Sequence, residues 1–300
     1  MKKQPMLPGP ARFFLSVAVL LVISIGTGCT RNSISGEAQK NEIKRIISAA
    51  PSNTEIITGL GMGDFLIAVD KYSSGIPGVP KGLPEIDFFY PDTEAIIGLE
   101  PDLILTNEIN SFGVANNPFK LLGDLGIRVV QVPTSVSIEG IYNDIILIAE
   151  TLEVKERGEA LVASMKEEID RISAAAEAEG EKKSVYFEIS SAPTMVSFGR
   201  GAYLNEMIEI AGGRNIFADQ SGWFSPGAEE ILHRNPDLIF TMVYSGEDPV
   251  SEIKNRRAFE NITAIKENQV YAIDADSASR PSQNIMLALR QMAQALNPSP

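Results

Sequence analysis

Short apolar runs alternate with amphipathic stretches along most of the chain. The runs at residues 45–48 and 184–189 predict buried β-strands, and the stretches at 53–60 and 203–210, each followed closely by glycine, predict α-helices. Three further strands are predicted at residues 65–70, 128–132 and 269–273, and a short segment is predicted at 216–219. This alternation predicts an α/β fold with parallel sheets and right-handed crossovers.

Two segments of the chain repeat one another. Residues 91–106 (PDTEAIIGLEPDLILT) and residues 226–241 (PGAEEILHRNPDLIFT) are identical at eight of sixteen positions, without a gap. Each copy predicts a short helix that ends before a proline, followed by a buried strand. The chain therefore consists of two halves of the same α/β kind.

A different kind of segment lies between the halves. Residues 138–152 predict an apolar-rich helix, and residues 154–179 carry the single apolar stripe of a long amphipathic helix. The second helix would be roughly 39 Å long at 1.5 Å per residue. We predict a rigid connector between two lobes, and packing inside a single domain is the alternative. The helix predicted at 283–296 folds back over one lobe.

The N-terminus has the three parts of a secretory signal. Basic residues precede an uncharged apolar run at 13–25, and small residues then precede Cys29. A run of this length suits a signal peptide and is short for a bilayer span, which needs about 20 residues. Small residues followed by the only cysteine resemble a bacterial lipobox, which implies that Cys29 is lipidated after cleavage. An uncleaved anchor, or a secretory signal with an incidental cysteine, is the alternative.

These patterns predict five regions along the chain. They are a lipoprotein signal peptide (residues 1–28), a flexible tether (29–42), an N-terminal α/β lobe (43–137), connecting helices (138–180) and a C-terminal α/β lobe (181–300).

Composition excludes several kinds of function. The formal net charge is −13, which argues against nucleic-acid binding, because phosphate contacts need clustered lysine and arginine. One cysteine and one histidine exclude a disulfide framework and metal sites built from several such side chains. We predict no metal site and no cofactor, and His233 is interpreted as a helix-face residue. The chain has no nucleophile elbow, Walker loop or dinucleotide glycine motif, so a binding protein is favoured over an enzyme or a structural lipoprotein.

Several motifs together resemble one family. They are APSNTE at residues 50–55, KYS at 71–73, the two Glu…Pro-Asp-Leu-Ile repeats, and SRP at 279–281. The chain resembles the two-lobed, helical-backbone substrate-binding proteins of ABC importers for iron–siderophore, haem and cobalamin. The resemblance implies two Rossmann-like lobes with parallel sheets, joined by a long backbone helix, with small closure around the ligand.

The ligand site is predicted between the lobes, because ligands of open parallel sheets bind beyond the carboxyl ends of the strands. Aromatic residues there suit a flat or bulky conjugated ligand, although Phe89 and Phe224 could instead fill the lobe cores. Arg280 and Arg200 could pair with an anionic ligand, and a surface salt bridge is the alternative for Arg200. The candidate ligand-binding residues are Ser52, Asn53, Tyr72, Phe88, Tyr90, Asn107, Trp223, Tyr244 and Arg280.

Glu94 and Glu229 occupy equivalent positions in the repeat. A carboxylate near a helix N-terminus is favourable by itself, which is one interpretation. The resemblance implies another, in which these acids dock against the arginines of a permease. The implied partners are an ABC permease with its ATPase, and the membrane through the lipid anchor, outside the cytoplasm. The implied ligand is a ferric siderophore, with a corrinoid, or haem held by a tyrosine, as alternatives.

Overall fold

A computed structural model describes residues 42–87, 89–108, 118–178, 180, 182–244 and 248–298. The predicted signal peptide, Cys29 and the tether up to residue 41 lie outside the described residues. From residue 42 onward, the described residues belong to one compact unit. Within these ranges, no helix combines the length and the apolar character needed to cross a bilayer.

The first half forms a five-stranded sheet in the order β3-β2-β1-β4-β5, and every pairing in it is parallel. Its strands are β1 (Ile46–Ser48), β2 (Leu66–Asp70), β3 (Glu85–Ile86), β4 (Leu103–Asn107) and β5 (Val129–Val132). Its helices are α1 (Pro51–Gly59), α2 (Thr93–Gly98) and α3 (Pro118–Asp124). The parallel α/β prediction for this half is confirmed, with β3 and α3 as additions.

Two long helices, α4 (Ile138–Thr151) and α5 (Lys155–Ala178), connect the halves as predicted. Both are attached to the rest of the protein by hydrogen bonds at their N-terminal ends. The Glu206 carboxylate accepts a 2.9 Å hydrogen bond from the Ile138 amide at the start of α4. Arg157, near the start of α5, donates a 3.0 Å hydrogen bond to the Leu60 carbonyl just after α1. The connector therefore contacts both halves, as a rigid link requires.

The second half forms a four-stranded parallel sheet in the order β11-β10-β6-β8, and an antiparallel pair, β7 with β9. The strands are β6 (Lys183–Glu188), β7 (Ser197–Phe198), β8 (Gly213–Asn215), β9 (Trp223–Phe224), β10 (Leu238–Thr241) and β11 (Val270–Ala272). The helices are α6 (Tyr203–Ile210), α7 (Ala228–Arg234), α8 (Pro249–Lys254), α9 (Thr263–Lys266), α10 (Ala275–Ser279) and α11 (Ile285–Leu296). The two-sheet architecture is confirmed, and the exact lobe boundaries stay a prediction.

One strand, β8, was not predicted from the sequence pattern. The short segment predicted at 216–219 follows it directly. Asn215 ends the strand, because its side chain accepts a 3.0 Å hydrogen bond from the Phe217 amide and donates one of 3.0 Å to Asn205. These side-chain bonds turn the backbone away from the sheet.

The sequence repeat is also a structural repeat. Asp102, just before β4, accepts 2.9 Å hydrogen bonds from the Lys44 and Arg45 amides that lead into β1. The equivalent Asp237, just before β10, accepts 2.7 Å hydrogen bonds from the amide and the hydroxyl of Ser184 in β6. Each aspartate thus joins the starts of two neighbouring strands, which explains why both copies retain it.

Each sheet is buried on both faces, as parallel sheets require. In β1, Ile46 faces a large core shared by the two halves, and Ile47 faces a separate outer core. In β6, Phe187 faces the shared core and Tyr186 faces the outer core of the second half. Helix α4 contributes Ile145 to the shared core. The two sheets are therefore connected by continuous apolar packing through the connector helices.

One ionisable side chain is buried in α4. Asp144 is 4% exposed, and the Ser135 hydroxyl donates a hydrogen bond to it. Burial raises the pKa of Asp144 to about 6, since desolvation disfavours its charged form; the Ser135 hydrogen bond opposes this rise and the nearby Glu108 adds to it. The folded protein therefore binds this proton more tightly than the unfolded chain does.

We predict that Asp144→Asn stabilises the protein at neutral pH. An aspartate whose pKa is raised on folding stabilises the protein below its unfolded pKa, and that contribution is lost as pH rises through about 6. The variant should gain about 1–3 kcal/mol in free energy of unfolding at pH 7.5 and little at pH 4. Urea unfolding of both proteins at several pH values measures the difference. A stability difference that stays constant between pH 4 and 7 would contradict the prediction.

Candidate ligand-binding cleft

The carboxyl ends of the strands place residues of both lobes around one opening. Helix α1 follows β1, the segment containing Tyr72 follows β2, and Asn107 ends β4. From the second lobe, Tyr244 follows β10, and Arg280 follows α10. Between them lies a cavity of about 490 Å³, the cleft cavity. Its walls are Pro51, Ser52, Tyr72, Asn107, Thr134, Tyr244, Asp276, Ser279, Arg280 and Pro281.

A smaller cavity of about 180 Å³ adjoins the cleft cavity, since Thr134, Ser279 and Pro281 line both. Trp223 forms part of its wall. Together the two spaces lie within the range of about 300–1,000 Å³ that is usual for small-molecule sites. A concavity of this size therefore lies between the lobes, where the site is predicted; that it binds the ligand stays a prediction.

Trp223 is positioned by a strand pairing that the sequence did not indicate. Its strand β9 pairs with β7, and its ring packs edge-on against the buried Phe198 at 5.7 Å. Gly199 permits this approach, because a Cβ atom there would lie 2.4 Å from the Gln220 carbonyl oxygen. The two strands are 25 residues apart in the sequence and meet only in three dimensions. Trp223 remains 51% exposed and forms part of the wall of the smaller cavity.

Two tyrosines stand on opposite lobes of the cleft cavity. Tyr72 is 55% exposed, and the Lys71 ammonium lies 5.2 Å from the centre of its ring. Tyr244 donates a hydrogen bond to the Asp276 carboxylate. Desolvation and this bond together raise the pKa of Tyr244 to about 12, so its hydroxyl stays protonated at neutral pH. Both rings are available for contact with a bound molecule.

Arg280 is already paired, in contrast to its expected role toward an anionic ligand. Its guanidinium lies 3.1 Å from the Glu55 carboxylate and 2.7 Å from the Asp276 carboxylate. The side chain is 17% exposed, and Glu55 is 3% exposed. Two negative charges therefore surround one positive charge at the cleft wall.

Glu55 accepts further bonds from the second lobe. The Ser282 hydroxyl donates to its carboxylate, and the Gln283 amide donates to its backbone carbonyl at 2.8 Å. Burial raises the pKa of the Glu55 carboxyl, and the bonds from Ser282 and Arg280 oppose that rise. Sequence reasoning missed Glu55 as a site residue. The available signal was that APSNTE and SRP, two motifs singled out separately, contain the two ends of this ion pair.

Asn53 does not face the cavity, which corrects its expected role in ligand contact. Its side chain is 1% exposed and donates a 3.1 Å hydrogen bond to the Thr106 carbonyl. It holds the start of α1 to the end of β4, because α1 packs directly on the sheet at that point. Ser52, the preceding residue, does line the cleft cavity.

The other aromatic candidates divide between surface and core. Tyr90 is 86% exposed and lies outside the walls of these two cavities, while Phe88 lies outside the described residues. Phe224 packs edge-on against the buried Phe217 at 5.0 Å, which agrees with the core alternative. Phe89 is 44% exposed.

Glu94 and Glu229 are both exposed and are the second residues of α2 and α7. Each of these helices precedes a strand of its sheet, so its N-terminal end lies at the carboxyl edge of that sheet. The two acids therefore lie at the sheet edge that also forms the cleft.

A further cavity of about 570 Å³ lies beside the ion pair and shares Tyr72, Asp276 and Arg280 with the cleft cavity. Among the described residues, no group of three or more histidine, cysteine, aspartate or glutamate side chains is arranged to hold a metal ion.

Comparison with known proteins gives a consistent result. Residues 46–277 match the family model described as periplasmic binding protein. The chain is 31% identical over 261 residues to the uncharacterized ABC transporter substrate-binding lipoprotein YvrC of Bacillus subtilis (strain 168), covering 86% of this chain and 82% of that protein. It is 28% identical to the vitamin B12-binding protein of Vibrio campbellii, covering 84% of this chain and 88% of that protein.

A solved structure shows the same fold. The structure of a possible iron-binding (periplasmic solute-binding) protein from Staphylococcus epidermidis superposes with a TM-score of 0.75 at 31% identity. The match covers 85% of this chain and 98% of that one. The chain belongs to the periplasmic binding protein family, whose members act as substrate-binding components of ABC importers and not as enzymes.

Proposed function

We propose that the protein captures a corrinoid in the cleft and delivers it to an ABC permease. The observation that carries this choice is the pairing of Arg280 with Glu55 and Asp276. Among the described residues that line the cleft cavity, Arg280 is the one cation, and its charge is already balanced. The cleft therefore suits a bulky ligand without strong negative charge.

The side chains that line the two cavities are of the types that a corrinoid surface can contact. A corrinoid is a broad macrocycle rimmed by neutral amide groups. Tyr72, Tyr244 and Trp223 offer aromatic surface for the ring, and Ser52 and Asn107 offer hydrogen-bonding groups for the amides. The relative from Vibrio campbellii, which is named a vitamin B12-binding protein, supports the same choice.

A ferric siderophore is the second candidate. The Staphylococcus epidermidis protein, described as possibly iron-binding, favours it at 31% identity. An anionic chelate would have to approach a wall on which Arg280 is already paired with Asp276 and with the buried Glu55 behind it. Placing uncompensated negative charge in a partly desolvated site is costly, which is why we rank the siderophore, and likewise haem with its carboxylates, second.

Delivery is proposed to use Glu94 and Glu229. They are exposed at equivalent positions of two halves that share one fold. One acid on each lobe suits a permease with two-fold symmetry that presents basic side chains. The partners in this proposal are the permease, its ATPase and the ligand.

Anchoring is proposed to occur through Cys29, outside the cytoplasm. The support is the signal-like segment before Cys29 and the name of the YvrC relative, which is a lipoprotein.

Ligand titration tests the corrinoid proposal. Trp223 is the only tryptophan, so its fluorescence reports on the cleft. We expect saturable quenching with cyanocobalamin, and saturation by an anionic ferric tris-catecholate or by haemin only at far higher concentrations. Isothermal titration calorimetry should give the same order of affinities, and its signal is not affected by light absorption of the coloured ligands. Saturable binding of the ferric chelate without a response to the corrinoid would instead establish the second candidate.

Asp276→Asn tests the charge argument. The substitution removes one negative charge 2.7 Å from Arg280, so affinity for the anionic ferric chelate should rise about five-fold while that for neutral cyanocobalamin changes little. Asp274→Asn is the matched control, because Asp274 begins the same short helix and asparagine caps helices equally well. Equal affinities of the two variants for the chelate would refute the argument.

Cys29→Ser tests anchoring. Without the thiol no lipid can be attached, so the protein should move from the membrane fraction to the soluble extracytoplasmic fraction. Fractionation with mass spectrometry of the N-terminal peptide measures this. Retention of the variant in the membrane at the wild-type level is the result that excludes a lipid anchor at this residue.

A further inference from the structure

Helices α2 and α7 each expose one large aliphatic side chain. Ile97 is 41% exposed and the equivalent Leu232 is 38% exposed. The residues just before them, Ile96 and Ile231, are 0% exposed and anchor each helix in its outer core. The buried isoleucine therefore gives each helix the apolar contact that it needs for folding. The exposed aliphatic side chain, Ile97 or Leu232, is not needed for that contact.

The exposed aliphatics lie beside the exposed acids. Ile97 follows Glu94 by three residues, and Leu232 follows Glu229 by three residues. Side chains three apart share one face of a helix. The buried isoleucines lie two residues after the acids, on the opposite side. Each lobe thus presents one acid and one aliphatic together, at the same place in the repeat.

Charge alone would make a weak contact at these positions. Ion pairs between exposed side chains contribute little and are screened by salt. They steer and orient a partner, whereas apolar burial supplies lasting affinity. An exposed aliphatic beside each acid would supply that second contribution.

We propose that these two pairs, Glu94 with Ile97 and Glu229 with Leu232, form two equivalent docking patches. Each patch takes a basic side chain and an adjoining apolar recess on one half of a two-fold symmetric permease. The inference rests on the proposed delivery function and adds the apolar half of the contact.

The charges favour this occupant over two others. A second copy of the chain would bring acid against acid, and the chain carries a net charge of −13. An anionic lipid surface would be repelled in the same way. A partner with duplicated basic sites matches both the charge and the two-fold repetition of the patches.

The test measures the docking of two double variants and one single variant to the cognate permease–ATPase complex in nanodiscs. Ile97→Ser with Leu232→Ser should weaken docking about ten-fold or more, with an unchanged salt dependence. Glu94→Gln with Glu229→Gln should weaken docking and also flatten its salt dependence. Leu287→Ser is the matched control, since Leu287 is also 41% exposed but lies on α11, outside the repeat.

Thermal unfolding and cyanocobalamin affinity should stay at wild-type values in both double variants, because their substituted side chains are exposed and lie outside the walls of the three cavities described above. If only the glutamine variant is impaired, the apolar half is overturned and the docking role of the acids stands. If the glutamine variant docks as wild type, the docking role itself fails. Equal weakening by Leu287→Ser would also overturn the inference.

Discussion

The Glu55 carboxylate is the constraint around which the cleft is organised. It lies on a helix of the first lobe, is nearly inaccessible to water, and has its partners on the second lobe: Arg280 and Ser282. Leaving such a group unpaired would be costly, so the lobes must approach one another in the arrangement that satisfies it. One interaction thus defines both the relation of the lobes at this wall and the charge that the ligand meets there.

That pairing changes what the cleft can recognise. An arginine on the wall of a binding site ordinarily attracts carboxylates or phosphates. Here Glu55 and Asp276 balance it, and Asp276 also receives the Tyr244 hydroxyl. In the function we propose, recognition depends on aromatic contact, shape and hydrogen bonds to neutral groups, which is why we propose a corrinoid ahead of an anionic chelate.

The duplication explains features at two levels. Inside the fold, Asp102 and Asp237 each accept two hydrogen bonds that join the starts of neighbouring strands. On the surface, α2 and α7 present equivalent side chains from both lobes at the carboxyl edges of the sheets. Because the same local sequence gives the same local structure, a duplicated unit gives a partner two similar places to bind.

The sequence by itself determined the alternation of strands and helices, the repeat, the connector helices and the family, because hydrophobic periodicity, glycine and proline positions and short motifs are local properties of the chain. Only the tertiary structure decided which polar groups meet. Asn53 turned inward to Thr106, Gly199 admitted the strand of Trp223, and Arg280 found a carboxylate 225 residues away. Such contacts depend on how sheets and helices stack, so no local pattern encodes them, and one of them leaves Arg280 already paired at the cleft wall.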